Sequence, residues 1–338
     1  MRCVHLFTNA LMRKNRIVLL VIFILLSVAA FRAMGEGESH YSIDQTATVQ
    51  QSFAQAGSDW SPIIVTEGAA SAAIANDALG GATSTSSAAT QHCGVGIGAR
   101  EGLVRYLHSS VTPFERKTDG RWPIASITKL MTALVATDLG MMDKPITLTD
   151  AMIATEGDAG KFTAGEVMSG KDVLKGMLLT SSNDAAEAFA QTYGRDAFIR
   201  RMNAKAQELR MFDTHYVDPS GLSPMNQSTS EDLYRLADYL YTNHREILDT
   251  SRLKTATLVD LHTHHKRTIA TINAFAGKTL SATSGRAIFI GGKTGYITEA
   301  EGNGNLLSIF TLNNQPFVTI VLGSPDRFGE TASLLSCI

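Results

Sequence analysis

A serine and a lysine three positions apart, Ser126 and Lys129, are the residues whose types and spacing most directly suggest chemistry. Residues three apart on a helix share one face, so the amine of Lys129 would lie beside the hydroxyl of Ser126. A serine hydroxyl is a weak nucleophile and needs a neighbouring base to take its proton. The pair therefore predicts nucleophilic catalysis, with Ser126 as the nucleophile and Lys129 as the base.

Two further polar clusters follow in the chain. Ser181-Ser182-Asn183 begins 55 residues after Ser126, and Lys293-Thr294-Gly295 begins 112 residues after Ser181. A serine and lysine at this spacing occur by chance in most proteins of this size. The significance of the three clusters therefore depends on their order and on the elements that carry them.

The sequence around each cluster predicts a different local structure. Pro123 disfavours a helical conformation at the residue before it, and a helical apolar period follows, so Ser126 is expected at the N-terminus of a helix. Helical patterns over 171–179 and 184–193 leave Ser181 in a short break between two helices. An alternating pattern over 287–290 predicts a strand that runs into Lys293.

The order of these patterns along the chain indicates the fold class. Helical signals dominate to about residue 247, and period-two apolar runs follow them, including a hairpin over 255–262 and 267–272. Short strand signals also precede the first helix. Strands at both ends, with helices between them, predict an α+β fold in which helices cover an antiparallel sheet.

The clusters lie within longer stretches that resemble the D-alanyl-D-alanine carboxypeptidases, the low-molecular-weight penicillin-binding proteins, which are serine peptidases. These stretches are 123–134, 182–186, 202–206, 218–223 and 291–296, and the likeness covers roughly residues 93–330. The resemblance implies a β-lactamase/transpeptidase-like fold. Such a fold has a mostly antiparallel five-stranded sheet flanked by helices, together with an all-helical lobe.

The resemblance also implies an activity, the hydrolytic removal of the terminal D-Ala from peptidoglycan stem peptides. Ser126 would form an acyl-enzyme, Lys129 would act as the base, and Ser181 would relay a proton to the leaving amine. Because a base must be neutral, we expect burial and the nearby cation of Lys293 to lower the pKa of Lys129. β-Lactam antibiotics are expected to acylate the same serine, and neither a metal nor a cofactor is expected.

Five residues are predicted to bind the substrate. Asn183 would hydrogen-bond the substrate's backbone amide, while Lys293 and Thr294 would bind its terminal carboxylate. Gly295 would let the substrate backbone lie along the strand as an added strand. The backbone N–H of Tyr296 would form an oxyanion hole with that of Ser126.

Three alternatives accompany the carboxypeptidase hypothesis. The first is a D,D-endopeptidase that cleaves peptidoglycan cross-links, and the second is a class A β-lactamase. The β-lactamase lacks support because no Glu-x-x-Leu-Asn pattern supplies a deacylation base. The third is a non-catalytic wall-binding module. One departure from the family pattern follows Gly295, because Thr298 is displaced by one position.

The N-terminus predicts export. An uncharged run over 17–31 follows four basic residues, Arg2, Arg13, Lys14 and Arg16. We expect residues 1–33 to be a membrane anchor or signal peptide, 34–92 to be a disordered tether rich in Ala, Ser, Thr and Gly, and 93–338 to be the peptidase domain. The run over 17–31 would hold the chain at the cytoplasmic membrane with its catalytic domain outside the cytoplasm, or the protein would be secreted if the leader is cleaved.

Charge and cysteine content complete the picture. The formal net charge of −2 gives no global field that would attract nucleic acid, so no nucleic-acid partner is expected. The three cysteines are Cys3, Cys93 and Cys337, without a Cys-x-x-Cys spacing. Because Cys93 and Cys337 flank the predicted domain outside the cytoplasm, a disulfide between them is a hypothesis of the sequence.

Overall fold

A computed structural model describes residues 93–94, 96–157, 160–297 and 304–338. The predicted leader over 1–33, the tether over 34–92 and the displaced Thr298 lie outside the described residues. Within the described ranges, no helix is both long enough and apolar enough to cross a membrane.

Twelve strands are described, and most are short. In chain order they are β1 (Glu101–Tyr106), β2 (Phe114–Arg116), β3 (Trp122–Pro123), β4 (Pro145–Thr147), β5 (Val167–Ser169), β6 (Gln227–Ser228), β7 (Thr255–Val259), β8 (Lys266–Ala270), β9 (Thr279–Ala282), β10 (Gly285–Tyr296), β11 (Gly304–Leu312) and β12 (Gln315–Ser324).

Eight α-helices accompany them in the described part of the chain. They are α1 (Thr128–Asp138), α2 (Asp150–Ile153), α3 (Gly170–Leu179), α4 (Asn183–Tyr193), α5 (Arg195–Glu208), α6 (Ser230–Asn243), α7 (Arg245–Ser251) and α8 (Arg327–Leu334). A 3₁₀ turn over Ala125–Ile127 leads directly into α1.

The main sheet has six antiparallel strands in the order β2-β1-β12-β11-β10-β9. Its central strands are buried on both faces, because side chains alternate across a strand and a helical layer covers each face. On β11, for example, Leu306 and Phe310 pack in one apolar core, and Leu307 and Ile309 pack in the other.

The helical part is built around α1. Residues 128–136 of this helix are all buried, so α1 is enclosed on every side, as expected for a helix that is apolar around its whole circumference. Helices α3, α4, α5 and α7 pack against it. The residues after Ser126 therefore belong to the best-packed part of the molecule.

Three two-stranded ribbons accompany the main sheet: β3–β6, β4–β5 and β7–β8. The β3–β6 ribbon pairs Trp122 with Ser228 and Pro123 with Gln227. It therefore brings the loop before β6 next to the turn that contains Ser126.

The predicted α+β fold is confirmed, with one difference in strand number. The sheet has six strands rather than five, because the three-residue strand β2 pairs with the outer edge of β1. The predicted hairpin is present as β7–β8. The predicted break between helices is also present, since α3 ends at Leu179 and α4 begins at Asn183.

Cys93 and Cys337 form a disulfide with a Cα–Cα distance of 4.8 Å, as the sequence hypothesis proposed. The bond joins residues 244 positions apart, so it links the beginning of the described region to its last turn. A long closed loop strongly restricts the unfolded chain, which is the main way in which such a bond stabilises a fold.

We expect the double variant Cys93→Ser/Cys337→Ser to lose about 2–5 kcal/mol of unfolding free energy, because the unfolded chain regains the entropy of the open loop. Urea denaturation of the purified protein under oxidising conditions measures this. Cys3→Ser is the control, since it leaves the bridge intact. Equal stability of the double variant and the wild type would show that the bridge does not stabilise the fold.

Candidate active site

The three polar clusters of the sequence meet in one cleft of about 400 Å³. Ser126 lies in the 3₁₀ turn before α1, Ser181 lies in the turn between α3 and α4, and Tyr296 ends β10. These residues and Asn183 line the cleft, whose other walls are Pro123, Ala125, Glu156, Gly221, Leu222, Ser223, Pro224 and Ile297. The other predicted site residues, Lys129, Lys293, Thr294 and Gly295, lie on the same elements behind this lining.

The turn that carries Ser126 has an unusual backbone and is held from two sides. Ala125 has φ +49°, a value uncommon for a residue with a side chain. The backbone N–H of Ile124 donates to the carbonyl of Asn226 at 3.0 Å. On the other side, the Nδ2 of Asn305 donates to the carbonyl of Pro123 at 2.9 Å.

Asn305 is a positioning residue that the sequence analysis missed. It is completely buried on β11, where it lies opposite Gly295, and its Oδ1 accepts from Trp122 Nε1 at 3.2 Å and from the N–H of Gly323 at 2.9 Å. Its amide therefore ties the segment before Ser126 to two strands of the sheet. The sequence offers no specific signal for this role, because Asn305 ends a stretch of glycine and asparagine, 302–305, whose composition is typical of a loop.

Lys129 is completely buried, and its Nζ has three close oxygens. These are Ser126 Oγ at 2.9 Å, Asn183 Oδ1 at 2.7 Å and the carbonyl oxygen of Ser220 at 2.6 Å. An amide oxygen and a carbonyl can only accept hydrogen bonds, whereas a hydroxyl can also donate. A neutral amine has two N–H groups and one lone pair. In that form, its two N–H groups donate to Asn183 Oδ1 and to the carbonyl of Ser220, and its lone pair faces the hydroxyl of Ser126.

The pKa values of both lysines fit neutral amines. Burial lowers the pKa of Lys129 to about 7, against the opposing effect of the Asp218 charge. Burial, together with the charges of Lys129 and Arg327, holds the pKa of Lys293 well below its usual range. Desolvation alone lowers the pKa of Lys129, whereas the charge effect between the two lysines, which the sequence suggested for Lys129, acts on Lys293.

Lys293 joins the second and third clusters. Its Nζ donates to Ser181 Oγ at 2.9 Å and to the carbonyl of Thr294 at 2.8 Å. Ser181 has φ +62°, and the following helix is capped by Ser182, whose Oγ accepts from the N–H of Ala185 at 3.2 Å. The cap and the lysine together hold the hydroxyl of Ser181 at the cleft.

Arg327 adds a third basic side chain, half-buried, whose Nη1 donates to the carbonyl of Gly295 at 2.8 Å. No carboxylate of the described residues forms an ion pair with Lys129, Lys293 or Arg327. A group of basic side chains without an acidic partner favours an anionic ligand, because a negative charge beside them favours their protonated forms. The family resemblance suggested Arg327 as a ligand of the substrate carboxylate, but the alignment near it is too loose to include it among the predicted site residues.

Asn183 and Gly295 have structural partners in addition to their predicted contacts with substrate. The Nδ2 of Asn183 donates to the carbonyl of Glu156 at 2.6 Å, which directs its oxygen to Lys129. A Cβ on Gly295 would lie 2.7 Å from the carbonyl oxygen of Ile124. Glycine is therefore required at this position by the chain's own backbone, whatever lies in the cleft.

The family model described as D-alanyl-D-alanine carboxypeptidase matches residues 109–326. A D-alanyl-D-alanine endopeptidase of Pseudomonas aeruginosa is 41% identical over 139 residues, which is 40% of this chain and 44% of that protein. A D-alanyl-D-alanine carboxypeptidase of Bacillus subtilis is 36% identical over 119 residues, or 32% of this chain and 30% of the relative. The chain thus matches less than two thirds of the length of either relative.

A solved structure is similar over a larger share of the chain. Penicillin-binding protein D2 from Listeria monocytogenes, in an ampicillin-bound form, aligns with a TM-score of 0.61 and 26% identity, covering 72% of this chain and 98% of that one. The family match spans more than half of the 338 residues and includes every cluster that forms the cleft. The chain therefore belongs to the D-alanyl-D-alanine carboxypeptidase family.

Proposed function

We propose that this chain is an exported serine D,D-carboxypeptidase that removes the terminal D-Ala from peptidoglycan stem peptides through an acyl-enzyme on Ser126. The observation that carries the proposal is the hydrogen bond of 2.9 Å between Lys129 Nζ and Ser126 Oγ. The other two oxygens around Lys129 are acceptors, so they direct the lone pair of a neutral amine to this hydroxyl.

In the acylation step, Ser126 Oγ attacks the carbonyl carbon of the scissile amide while Lys129 takes the hydroxyl proton. The carbonyl oxygen becomes an oxyanion, which the backbone N–H groups of Ser126 and Tyr296 would stabilise. The position of Ser126 at the start of a helix also favours this negative charge, because backbone N–H groups are free there.

When the tetrahedral intermediate collapses, its C–N bond breaks and the leaving amine needs a proton. Ser181 is the relay that we propose, since its hydroxyl is held by Lys293 Nζ and lines the cleft. It gives its proton to the amine and takes the proton that Lys129 received from Ser126, so Lys129 is neutral again. Water then attacks the ester carbon and gives a proton to neutral Lys129, which returns that proton to Ser126 Oγ as the C–O bond breaks. The second step returns Ser126 to its free hydroxyl form and releases the shortened peptide.

The cations behind the cleft suit the terminal carboxylate of the substrate. Lys293, Thr294 and Arg327 lie on or against the end of β10, next to the proposed oxyanion hole. Negative charge on the substrate, or on a penicillin, would be favoured there because no acid of the described chain already occupies these cations in an ion pair. We therefore propose β-lactams as acylating inhibitors, in line with the ampicillin-bound form of the similar Listeria protein.

The location of the enzyme is part of the proposal. The basic residues before 17–31, followed by an uncharged run, support export with either a retained membrane anchor or a cleaved signal. Action outside the cytoplasm also suits a peptidoglycan substrate and a disulfide between Cys93 and Cys337.

We expect fluorescent penicillin to label the wild-type protein and Ser126→Ala to remain unlabelled, because the variant has no oxygen with which to form the ester. Gel fluorescence after denaturation measures the covalent adduct. Ser333→Ala, which removes an exposed serine of α8, is the matched control and should be labelled like the wild type. Labelling of Ser126→Ala would rule out Ser126 as the nucleophile.

We expect the rate of penicillin acylation to fall as the pH drops through about 7, the pKa to which burial lowers Lys129. Below that pH the amine carries a proton and cannot accept another, so the rate should fall about tenfold per pH unit. Stopped-flow acylation across the neutral range measures the profile. Lys129→Arg, which cannot become neutral, should be slower by about 10²-fold or more at every pH.

The acid limb is the range of pH in which the acylation rate falls as the pH is lowered. An acid limb well away from neutral pH would contradict the assignment of Lys129 as the base. A near-normal rate in Lys129→Arg would contradict it as well.

A D,D-endopeptidase that cleaves cross-links is the second candidate function. It is favoured by the similarity of 41% over 139 residues to a protein named as an endopeptidase. Both activities would use the same acyl-enzyme, and they differ only in the group attached to the leaving amine.

We expect incubation with purified muropeptides to shorten monomeric pentapeptides by one D-Ala, with Ser126→Ala as the inactive control. Mass spectrometry of the products measures this. Conversion of cross-linked dimers to monomers would assign the endopeptidase activity instead. An unchanged muropeptide profile would contradict both activities.

A further inference from the structure

Asp218 is a buried acid in the loop before β6, and it makes no ion pair with a basic residue of the described chain. Its Oδ1 accepts from the N–H of Ser220 at 2.7 Å, from Ser220 Oγ at 2.8 Å and from the N–H of Gly221 at 2.6 Å. Its Oδ2 accepts from the N–H of Ser223 at 2.9 Å. These four hydrogen bonds supply both oxygens of the buried carboxylate with donors, as a buried polar group requires.

These hydrogen bonds fold residues 218–223 into a tight turn, and the turn presents the carbonyl of Ser220 to Lys129 Nζ at 2.6 Å. This carbonyl is one of the two acceptors that take the N–H groups of the neutral amine. If it moved, Lys129 would lose the partner that keeps its lone pair directed to Ser126.

The turn is packed closely against the segment that carries the nucleophile. Gly221 has φ +82°, and a Cβ there would lie 2.0 Å from the carbonyl oxygen of Ala125. Thr132 Oγ1 of α1 donates to the carbonyl of Pro219 at 2.6 Å. Asn226 Nδ2 donates to the carbonyl of Asp218 at 2.9 Å and to Thr128 Oγ1 at 3.2 Å. A shift of Asp218 would therefore displace both the turn that carries Ser126 and the helix that carries Lys129.

We propose that Asp218 is a positioning residue for acylation, which holds the Ser220 carbonyl against Lys129 and supplies the negative charge of this turn. This inference rests on the proposed function, because it assumes that neutral Lys129 is the base. Asp218 touches neither the substrate nor Ser126 Oγ, and it acts through the turn and through its charge.

Several charged groups lie on the elements packed around Lys129. They are Lys293 on β10, Arg327 on α8, Asp184 and the Glu187–Arg195 pair at α4 and α5, and the Lys205–Asp138 pair of α5 and α1. Among the charges, Asp218 is the one that raises the pKa of Lys129, against the effect of burial. Removal of this charge should therefore favour the neutral amine at lower pH.

Two substitutions test the effect of the turn and the effect of the negative charge separately. In Asp218→Asn, an oxygen remains for the three donors that Oδ1 now accepts, while the negative charge and the bond from the Ser223 N–H to Oδ2 are lost. In Asp218→Glu, the charge remains but the longer side chain displaces the turn. Asp232→Asn is the matched control, because Asp232 is also a buried acid that accepts from a loop, through Asp213 N–H and Thr214 Oγ1, but it does not face Lys129.

The experiment measures the second-order rate of acylation by fluorescent penicillin as a function of pH, with the full chain. We expect the acid limb of Asp218→Asn to move to lower pH by on the order of one unit, with most of the plateau rate retained. We expect Asp218→Glu to keep the wild-type limb and to lose about 10²-fold in its plateau rate, because a small displacement of the base is costly. Asp232→Asn should keep both the wild-type limb and the wild-type plateau.

An unmoved acid limb in Asp218→Asn would overturn the inference, as would an undiminished plateau in Asp218→Glu. Circular dichroism melting identifies a variant that does not fold. If Asp218→Asn fails to fold, the plateau of Asp218→Glu decides. If penicillin does not acylate the wild type, the proposed function is wrong. If penicillin acylates the wild type and both Asp218 variants with the same pH profile, only the role of Asp218 is wrong.

Discussion

The burial of an amine is the constraint on which the rest of the site depends. A charged ammonium loses its hydration when it is buried, so a lysine inside a protein tends toward its neutral form unless an acid compensates. Among the described residues, no carboxylate lies within hydrogen-bonding distance of Lys129 Nζ, whose oxygen neighbours are a hydroxyl, an amide and a backbone carbonyl. Such an environment favours a neutral amine with a defined orientation, which is what a base beside a serine requires.

Holding three such oxygens around one nitrogen needs three separate parts of the chain. α1 supplies Lys129 itself, α4 supplies Asn183, and the turn at Asp218 supplies the carbonyl of Ser220. Residues 128–136 of α1 are buried, and a helix packed in this way can move only together with its neighbours. The nitrogen of Lys129 is therefore held in place by the surrounding helices. The remaining parts are then tied to the sheet through the β3–β6 ribbon and the buried amide of Asn305.

The site also contains features that are costly in isolation. Ala125 and Ser181 both have positive φ values, which cost free energy in residues with a side chain, and two lysines lie close enough to lower the pKa of one of them. The packing of the two apolar cores on either side of the sheet offsets these costs in free energy. Their concentration around one cleft is the pattern expected where geometry serves chemistry rather than stability.

Local patterns in the sequence determined much of this protein. The helix start at Ser126, the break at Ser181, the strand with Lys293 and the α+β order of elements all follow from proline, from apolar periodicity and from polar interruptions between neighbouring residues. The tertiary structure alone decided which distant atoms meet. Nothing local indicates that Asn305 holds Pro123, or that Asp218 holds a carbonyl against Lys129, because these contacts join segments about 90 to 180 residues apart. The reactive groups could thus be predicted from the sequence, whereas the orientation of the Lys129 amine depends on long-range packing. The reason is that hydrogen-bond geometry around a buried atom depends on all the segments that enclose it.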